Sequence, residues 1–344
     1  MYKKNVYQNI ANVVMFIITI SILIYFCVHN NNLITLINII PHLNYFWLVV
    51  SISFMGLSLF FDSIVLNILV SDIFNKNYSK LSSFRLTMVG QFFSSITPLG
   101  AGGQPMQIIY LSKQGIPTGS AISILVIKFL VYQSSMVLFS LMSIIFKFSM
   151  FSEKILGFIP LSIIGFTSQC SIVFLLVLFY INKKFTNKII SGVSWLLSKT
   201  KIIKNSENFN QKTEKQLELF VKSNKYIQQN KSITVKLYIF TILQLISLFS
   251  VPFFIFKAFH YEGFPVFDML ATQSFVTMVS SFTPLPGAAG MTEGAFIVLF
   301  REFFESDFVS LAMILHRFIT YYLNIIVSFI AIKITDKDKK LFLS

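Results

Sequence analysis

Charged side chains are scarce in this sequence. They account for 12% of its 344 residues, whereas a typical soluble domain carries about 25%. Hydrophobic residues reach 55% and include 40 phenylalanines, and the mean hydropathy is +0.72. This composition excludes a disordered chain, a nucleic-acid-binding module and an ordinary soluble enzyme. Several apolar runs reach about 20 residues, the length that crosses a bilayer, so we predict an all-α polytopic membrane protein.

Cysteine and acidic residues are also few. The two cysteines, Cys27 and Cys170, both lie in apolar runs, which excludes a disulfide framework and a CxxC-type metal site. Asp and Glu total 14 against 28 Lys and Arg, so the net charge is +14. The basic residues lie almost entirely between apolar runs, as in the cytoplasmic loops of membrane proteins. We therefore expect no nucleic-acid partner, no metal and no cofactor.

Six apolar runs predict six full transmembrane helices. They cover about residues 10–28, 45–70, 119–146, 156–181, 233–256 and 308–332. The polar loop between the fourth and fifth runs, residues 182–236, is rich in lysine, so the positive-inside rule makes it cytoplasmic. Six crossings leave both termini in the cytoplasm, and we predict a multi-pass protein of the cytoplasmic membrane.

The basic loop contains one amphipathic pattern. Apolar residues recur at helical spacing among its lysines, at Phe209, Leu217, Phe220, Val221 and Ile227. Two placements are open for this helix. It lies on the anionic inner leaflet with its lysines toward the lipid headgroups, or it packs against the cytoplasmic ends of the spans.

Two further apolar segments, residues 81–111 and 266–300, are interrupted near their middles by proline and glycine. The interruptions read SITPLGAGGQP at 95–105 and SFTPLPGAAG at 281–290. Proline breaks the helical hydrogen-bond ladder, and broken backbone at membrane depth is tolerated only inside protein or beside a water-filled cavity. We predict two re-entrant hairpins, with two kinked full spans as the alternative.

The two broken segments belong to an internal repeat. SSITPL at 94–99 matches SSFTPL at 280–285, and KFLVY at 128–132 matches RFITY at 317–321, with offsets of 186 and 189. Three crossings separate the two copies, and an odd number gives them opposite orientations. Inverted repeats with broken helices are a transporter architecture whose substrate site lies near the bilayer midplane. The alternative is that the repeat only stabilises a scaffold.

We predict one integral membrane domain over residues 1–344. Its first repeat covers about residues 45–147 and its second about 233–333, with the basic loop 182–236 between them.

Ionisable residues inside apolar runs point to a site. Asp62, Lys128 and Arg317 lie in predicted spans and Glu293 follows the second break, although a charge at a helix centre costs roughly 2.5–3.5 kcal/mol. On one interpretation Lys128 and Arg317 attract an anionic headgroup, while Asp62 and Glu293 balance charge and carry a proton or ion. On the other, Asp62–Lys128 and Glu293–Arg317 are structural ion pairs.

The helix breaks add a second attraction for anions, because a new helix N-terminus presents free amides and the positive end of the helix dipole. A phospholipid headgroup would suit such a site. Besides the four charged residues, the candidate substrate-binding residues are Thr97, Pro98, Gly100, Gly102, Gly103, Gln104, Thr283, Pro284, Pro286, Gly287 and Gly290.

These motifs resemble the lysylphosphatidylglycerol synthase transmembrane-region family, the flippase module of the bacterial multiple peptide resistance factor. The family's T-P-x-x-x-G-G-E element corresponds to residues 97–104, with Gln104 in place of the acid. Its P-x-P-G-x-x-G-x-x-E element matches fully at 284–293, and Arg317 matches a basic residue of the last span. Gln107 stands where a basic residue is common, so a charge pair near the first hairpin is missing. The resemblance covers about residues 5–335.

The resemblance implies translocation of a phospholipid across the cytoplasmic membrane of a bacterium, in the best-known members an aminoacylated phosphatidylglycerol that contributes to antibiotic resistance. The full-length factor also has a soluble acyltransferase domain, but only about a dozen residues follow Ile332, so we do not expect an enzyme. The alternatives are a lipid-modifying transferase, with Glu293 or His316 as its base, and a membrane partner of a separately encoded synthase. The expected partners are membrane phospholipid, that synthase and a second copy of the chain.

The lysine distribution and the odd crossing count predict a topology. We expect cysteines placed at Lys113 and Lys215 to be cytoplasmic and one at Glu302 to be external. Labelling of single-cysteine variants in intact cells with a membrane-impermeant reagent measures this, on a background without the two native cysteines. External labelling at position 113 would contradict the re-entrant hairpin and the inverted repeat.

Overall fold

The computed structural model describes residues 39–74, 77–154, 158–182, 206–281 and 283–339. Every regular element within these ranges is helical, which confirms the all-α prediction. The first predicted span, residues 10–28, lies outside the described residues. In chain order the helices are α1 (Tyr45–Phe74), α2 (Lys80–Ser95), α3 (Gly103–Lys113), α4 (Thr118–Lys154), α5 (Phe158–Ile181), α6 (Ser206–Gln229), α7 (Lys231–Phe249), α8 (Val251–Ala258), α9 (Val266–Ser280), α10 (Met291–Phe300), α11 (Ser306–Arg317) and α12 (Leu323–Lys339).

Five segments of the described chain are long and apolar enough to cross a membrane. They are Tyr45–Phe74, Thr118–Phe146, Ser162–Ile181, Lys231–Ala258 and Ser306–Ile334. They coincide with the five predicted spans that the structure describes. Two of them are composite, because α7 and α8 form one span interrupted beside Pro252, and α11 and α12 are joined by a π-helical turn, Phe318–Tyr322.

Both proline- and glycine-broken segments are helical hairpins. In the first, a short 3₁₀ turn (Pro98–Gly100) separates α2 from α3, and in the second another (Pro286–Ala288) separates α9 from α10. The halves are 16, 11, 15 and 10 residues long, too short to cross a core of about 30 Å at about 1.5 Å per residue. The two halves of each segment pack side by side. We therefore describe hairpins and not kinked full spans.

The hairpins pack in a reciprocal way. The first hairpin contacts α12, the end of the second repeat, through α2, and the second hairpin contacts α4, the end of the first repeat, through α9. The central spans α1 and α7 pack against each other, and the 3₁₀ turns at the two tips also touch. Each hairpin thus packs against the last span of the other repeat, as expected for two related halves. The opposite orientation of the two halves in a membrane stays a prediction.

Apolar side chains fall into an inner and an outer set. Phenylalanines dominate the interior of the second half, where Phe296 stacks on Phe300 at a centroid distance of 4.2 Å. Others face outward, such as Phe46 on α1 and Phe146 on α4, which are 65% and 63% exposed. Exposed rings of this size would promote aggregation in water, so we assign this outward surface to lipid.

The amphipathic helix α6 packs on the ends of two spans. Its Asn224 Oδ1 accepts a hydrogen bond of 2.6 Å from Ser123 Oγ, and its Gln216 Oε1 accepts one of 2.7 Å from the Gly119 backbone N–H. Phe220 and Ile227 are buried on the same face. Of the two placements that the sequence left open, the structure has the packing against spans.

Gly119 permits this close packing, because a Cβ there would collide with the Gln216 carbonyl. We expect Gly119→Val to detach α6. Ser223, which is buried against α4, would become accessible, so a Ser223→Cys reporter should react at least about fivefold faster with a thiol reagent, the effect of about 1 kcal/mol of local destabilisation. Gly56→Val is the control, since a Cβ at Gly56 meets open space. Equal reactivity in both variants would contradict the docking role of Gly119.

Candidate functional site

The first hairpin tip is closed by its own hydrogen bonds. Thr97 Oγ1 donates to the Phe93 carbonyl at 2.6 Å and accepts from the Gly102 N–H at 2.8 Å. Ser94 Oγ donates to the Gly100 carbonyl at 3.2 Å. Pro98 opens the 3₁₀ turn, which follows Thr97. The predicted residues of this motif therefore shape the turn, and the Thr97 hydroxyl supplies its central polar contacts.

The N-terminus of α3, at this tip, has no side-chain cap. Gly103 is its first residue and is buried, whereas Gln104, the second, is exposed. No acidic residue lies in the first turn of α3, so the positive end of its dipole has no carboxylate partner there. Gln107 is buried, and its Nε2 donates to the Leu86 carbonyl at 2.9 Å. The two glutamines that replace charged residues therefore have different environments.

Hydrogen bonds also join the two ends of the first hairpin that lie away from its tip. Tyr78 precedes α2, and its hydroxyl donates to Gln114 Oε1 just beyond α3 at 2.6 Å. Asn67 Nδ2 on α1 donates to the Tyr78 carbonyl at 2.7 Å. Burial raises the pKa of Tyr78 above its ordinary value, so the hydroxyl stays protonated as the donor.

The second tip has a different electrostatic arrangement. Glu293, in the first turn of α10, accepts a 2.6 Å hydrogen bond from the Gly290 N–H through Oε2. Gly287 has φ +60°, in the left-handed region that favours glycine. Pro286 is buried beside it, while Thr283 and Pro284 precede the turn outside regular secondary structure. The carboxylate therefore occupies the helix end that an external anion would otherwise use.

Glu293 and Arg317 form a buried ion pair. Arg317 Nε donates to Glu293 Oε1 at 2.7 Å, and the side chains are 5% and 1% exposed. Arg317 Nη2 donates to the Gly287 carbonyl at 2.9 Å. The guanidinium also lies 4.7 Å from the centre of the Tyr321 ring. One arginine therefore holds both sides of the second tip.

Tyr321 links the two tips. Its hydroxyl donates to the Ser95 carbonyl at the end of α2 at 2.8 Å, and its ring lies so close to Gly287 that a Cβ there would overlap it. One helical turn further on, Asn324 Nδ2 donates to Gln91 Oε1 at 3.3 Å. The side chains that make these two contacts, those of Gln91, Tyr321 and Asn324, were absent from the predicted site. The available signal was polar side chains in apolar runs, together with the repeat match at Tyr321.

The second predicted charge pair lies between two spans. Lys128 Nζ on α4 is 2.8 Å from Asp62 Oδ2 on α1. The Asp62 side chain is 4% exposed, but that of Lys128 is 19% exposed. The structure thus contains both ion pairs that the sequence offered as an interpretation, and Lys128 is more accessible than Arg317. Whether either cation contacts a substrate stays a prediction.

Several buried polar atoms of the second half have no hydrogen-bond partner within the described residues. They include both ring nitrogens of His316, Gln273 Oε1, Thr283 Oγ1 and Asn324 Oδ1. His316 lies next to Arg317 in sequence and stacks on Phe296 at 5.0 Å. Leaving a polar atom unpaired in hydrocarbon costs several kcal/mol, and all of these atoms are buried. Among the described residues, no three His, Cys, Asp or Glu side chains lie close enough together to hold a metal ion.

The ion pair at the second tip predicts a stability effect. Arg317→Gln leaves the Glu293 carboxylate buried without its partner, so we expect a loss of about 3–5 kcal/mol and a lower thermal midpoint in detergent. The double variant Glu293→Gln with Arg317→Gln should recover most of it.

Lys257→Gln serves as the matched control, because its pair with Glu262 is longer, at 3.7 Å, and Glu262 is 86% exposed. A loss in Arg317→Gln no larger than in this control would show that the pair is not structural.

Comparison with known proteins agrees with the motifs. The sequence matches the family described as lysylphosphatidylglycerol synthase TM region over residues 11–328. It is also similar to a UPF0104 membrane protein of Archaeoglobus fulgidus, at 25% identity over 259 residues that cover 75% of this chain and 77% of that relative. The family match includes both hairpins and both ion pairs. The resemblance predicted from the two motifs is confirmed, and the chain belongs to the lysylphosphatidylglycerol synthase transmembrane-region family.

Proposed function

We propose that this protein moves a phospholipid, or another lipid-linked anion, from one leaflet of the membrane to the other. The observation that carries the proposal is the contact between the two broken hairpins, one from each half, at their tips. Irregular backbone at membrane depth supplies polar groups that a continuous span hides. A headgroup crossing the bilayer needs such groups along its path, while its acyl chains stay in lipid.

The first tip is the better candidate for contact with the headgroup. Its helix α3 begins without an acidic residue and exposes Gln104, so its amides and dipole can attract a phosphate. At the second tip Glu293 already accepts the Gly290 N–H, and Arg317 neutralises that carboxylate. We therefore propose that the first tip receives the anion and that the second maintains the junction.

Lys128 is the proposed second contact. Its ammonium is held by Asp62, but 19% of its side chain is exposed. A lysine ammonium has three donors, so it can bind a phosphate oxygen while it keeps one hydrogen bond to Asp62. The pair of Asp62 on α1 and Lys128 on α4 has no net charge when no substrate is bound, which lowers the cost of each charge at this depth.

A lipid-modifying transferase is the less favoured reading. Its general base would be Glu293 or His316, yet both Glu293 oxygens already accept hydrogen bonds, from Gly290 and Arg317. His316 is buried against Phe296. Within the described residues, neither side chain forms a hydrogen bond to a Ser, Thr or Cys that it could activate as a nucleophile.

The test is leaflet exchange in liposomes that contain the purified protein and fluorescent phosphatidylglycerol or phosphatidylcholine. We expect protein-dependent exchange, faster for the anionic lipid. Lys128→Gln should slow it about tenfold, equal to about 1.4 kcal/mol in the barrier. Gln104→Glu should selectively slow the anionic lipid, because a carboxylate would compete for the α3 amides.

Lys257→Gln is the control, since it removes a lysine at the end of a span without touching either tip. Folded wild-type protein that exchanges neither lipid above protein-free liposomes would contradict the proposal. A normal rate in Lys128→Gln would remove that lysine from the path.

A further inference from the structure

A cavity beside α4 is lined by no residue of either hairpin. It measures about 440 Å³ and is bounded by α4, α7 and the C-terminal ends of α5 and α6. This volume is in the usual range for ligand sites, about 300–1,000 Å³. We call it the lateral cavity, and its lining is Ile127, Leu130, Val131, Tyr180, Ile227, Gln228, Lys231, Thr234, Val235, Leu237 and Tyr238.

The lateral cavity is polar at one end and apolar along its length. Gln228 and Lys231 lie at the junction of α6 and α7, while Leu130 and Val131 on α4 form an apolar wall. Lys231 is the first residue of α7 and Tyr238 lies seven residues later, which is about 10 Å deeper along the helix axis. An occupant would therefore have a long apolar part and a polar end.

The polar end of the cavity is strongly basic. Lys222 and Lys225 on α6 and Lys231 on α7 are exposed in this region, and the sequence has no Asp or Glu from 219 to 236. A smaller cavity of about 220 Å³, which includes Lys225, adjoins it and shares Tyr180 and Gln228. The charge at this end complements an anion.

The lateral cavity is reached from the side of the bundle. Val235 lines it and is 57% exposed, and Ile239, one turn further along α7, is 50% exposed. Both lie within a segment that is apolar and long enough to span a membrane, Lys231–Ala258. A molecule that enters between exposed aliphatic side chains of a span comes from the bilayer.

We propose that the lateral cavity binds an anionic phospholipid, with one acyl chain along the apolar wall and its phosphate at Lys231 and Lys225. The side chains that would meet the phosphate are charged and exposed, and those that would meet the chain are apolar. This site is separate from both hairpin tips, and the proposal does not require that the protein transports lipid. The docking of α6 on α4 completes the cavity, since Ile227 and Gln228 belong to α6.

Quenching of tryptophan by brominated acyl chains tests the proposal in liposomes of the full chain. The native Trp47 and Trp195 are replaced by Phe, and the reporter is Val235→Trp at the cavity mouth. Ile326→Trp is the control reporter, because Ile326 is 51% exposed on α12 and does not line the cavity. The probes are brominated phosphatidylglycerol and brominated phosphatidylcholine at equal fractions.

We expect phosphatidylglycerol to quench the cavity reporter more strongly than phosphatidylcholine, with no such preference at the control reporter. Each of Lys231→Gln and Lys225→Gln should weaken the preference by about fivefold, the usual effect of one lysine near anionic lipid. Lys215→Gln, which removes an exposed lysine between Glu214 and Glu218 in the first half of α6, should leave it unchanged.

Thr234→Phe distinguishes the cavity from general surface attraction, because it fills the apolar space and keeps every lysine. We expect it to reduce quenching of the Val235→Trp reporter by both lipids. Equal quenching by the two lipids at both reporters would overturn the proposal, as would a preference that survives loss of both lysines. Binding with no leaflet exchange would leave this site standing and contradict only the proposed transport.

Discussion

The buried pair of Glu293 and Arg317 is the interaction on which the arrangement of the hairpins depends. Each of these charges would be costly to bury at membrane depth without the other. Each also forms a hydrogen bond with a backbone group at the helix break. Glu293 accepts from the Gly290 N–H, and Arg317 donates to the Gly287 carbonyl. The same arginine lies over Tyr321, which reaches the first hairpin. The pair thus joins a broken helix, a continuous span and the opposite half of the molecule.

The two halves use the same architecture with different electrostatics. Each has a hairpin broken by a short 3₁₀ turn and a cation in its last span. In the second half the cation neutralises the start of a hairpin helix, whereas in the first half Lys128 pairs with Asp62 on α1 and the hairpin helix begins with an exposed glutamine. The two halves therefore differ in the charges at their hairpins, although they share the hairpin arrangement.

Sequence reasoning located both hairpins and the five spans that the structure describes, because apolar runs and proline–glycine breaks act locally. It also identified Asp62, Lys128, Glu293 and Arg317, since ionisable residues stand out in apolar segments. It offered the two observed ion pairs as one interpretation and left open whether these residues serve structure or substrate binding. The contact of Tyr321 with Ser95 could not be predicted, because 226 residues separate them and helical periodicity does not specify which faces of distant helices meet. The docking of α6 on α4 similarly depends on a close approach at Gly119.

The π-helical turn at Phe318–Tyr322 has a geometric consequence for the last span. A π-turn accommodates an additional residue in a helix, and one residue corresponds to a rotation of about 100° about the axis of an α-helix. Arg317 before the turn faces its own hairpin, while Asn324 after it faces the other. The π-turn therefore sets the angle about the helix axis between Arg317 and Asn324, and this angle allows one span to contact both hairpins.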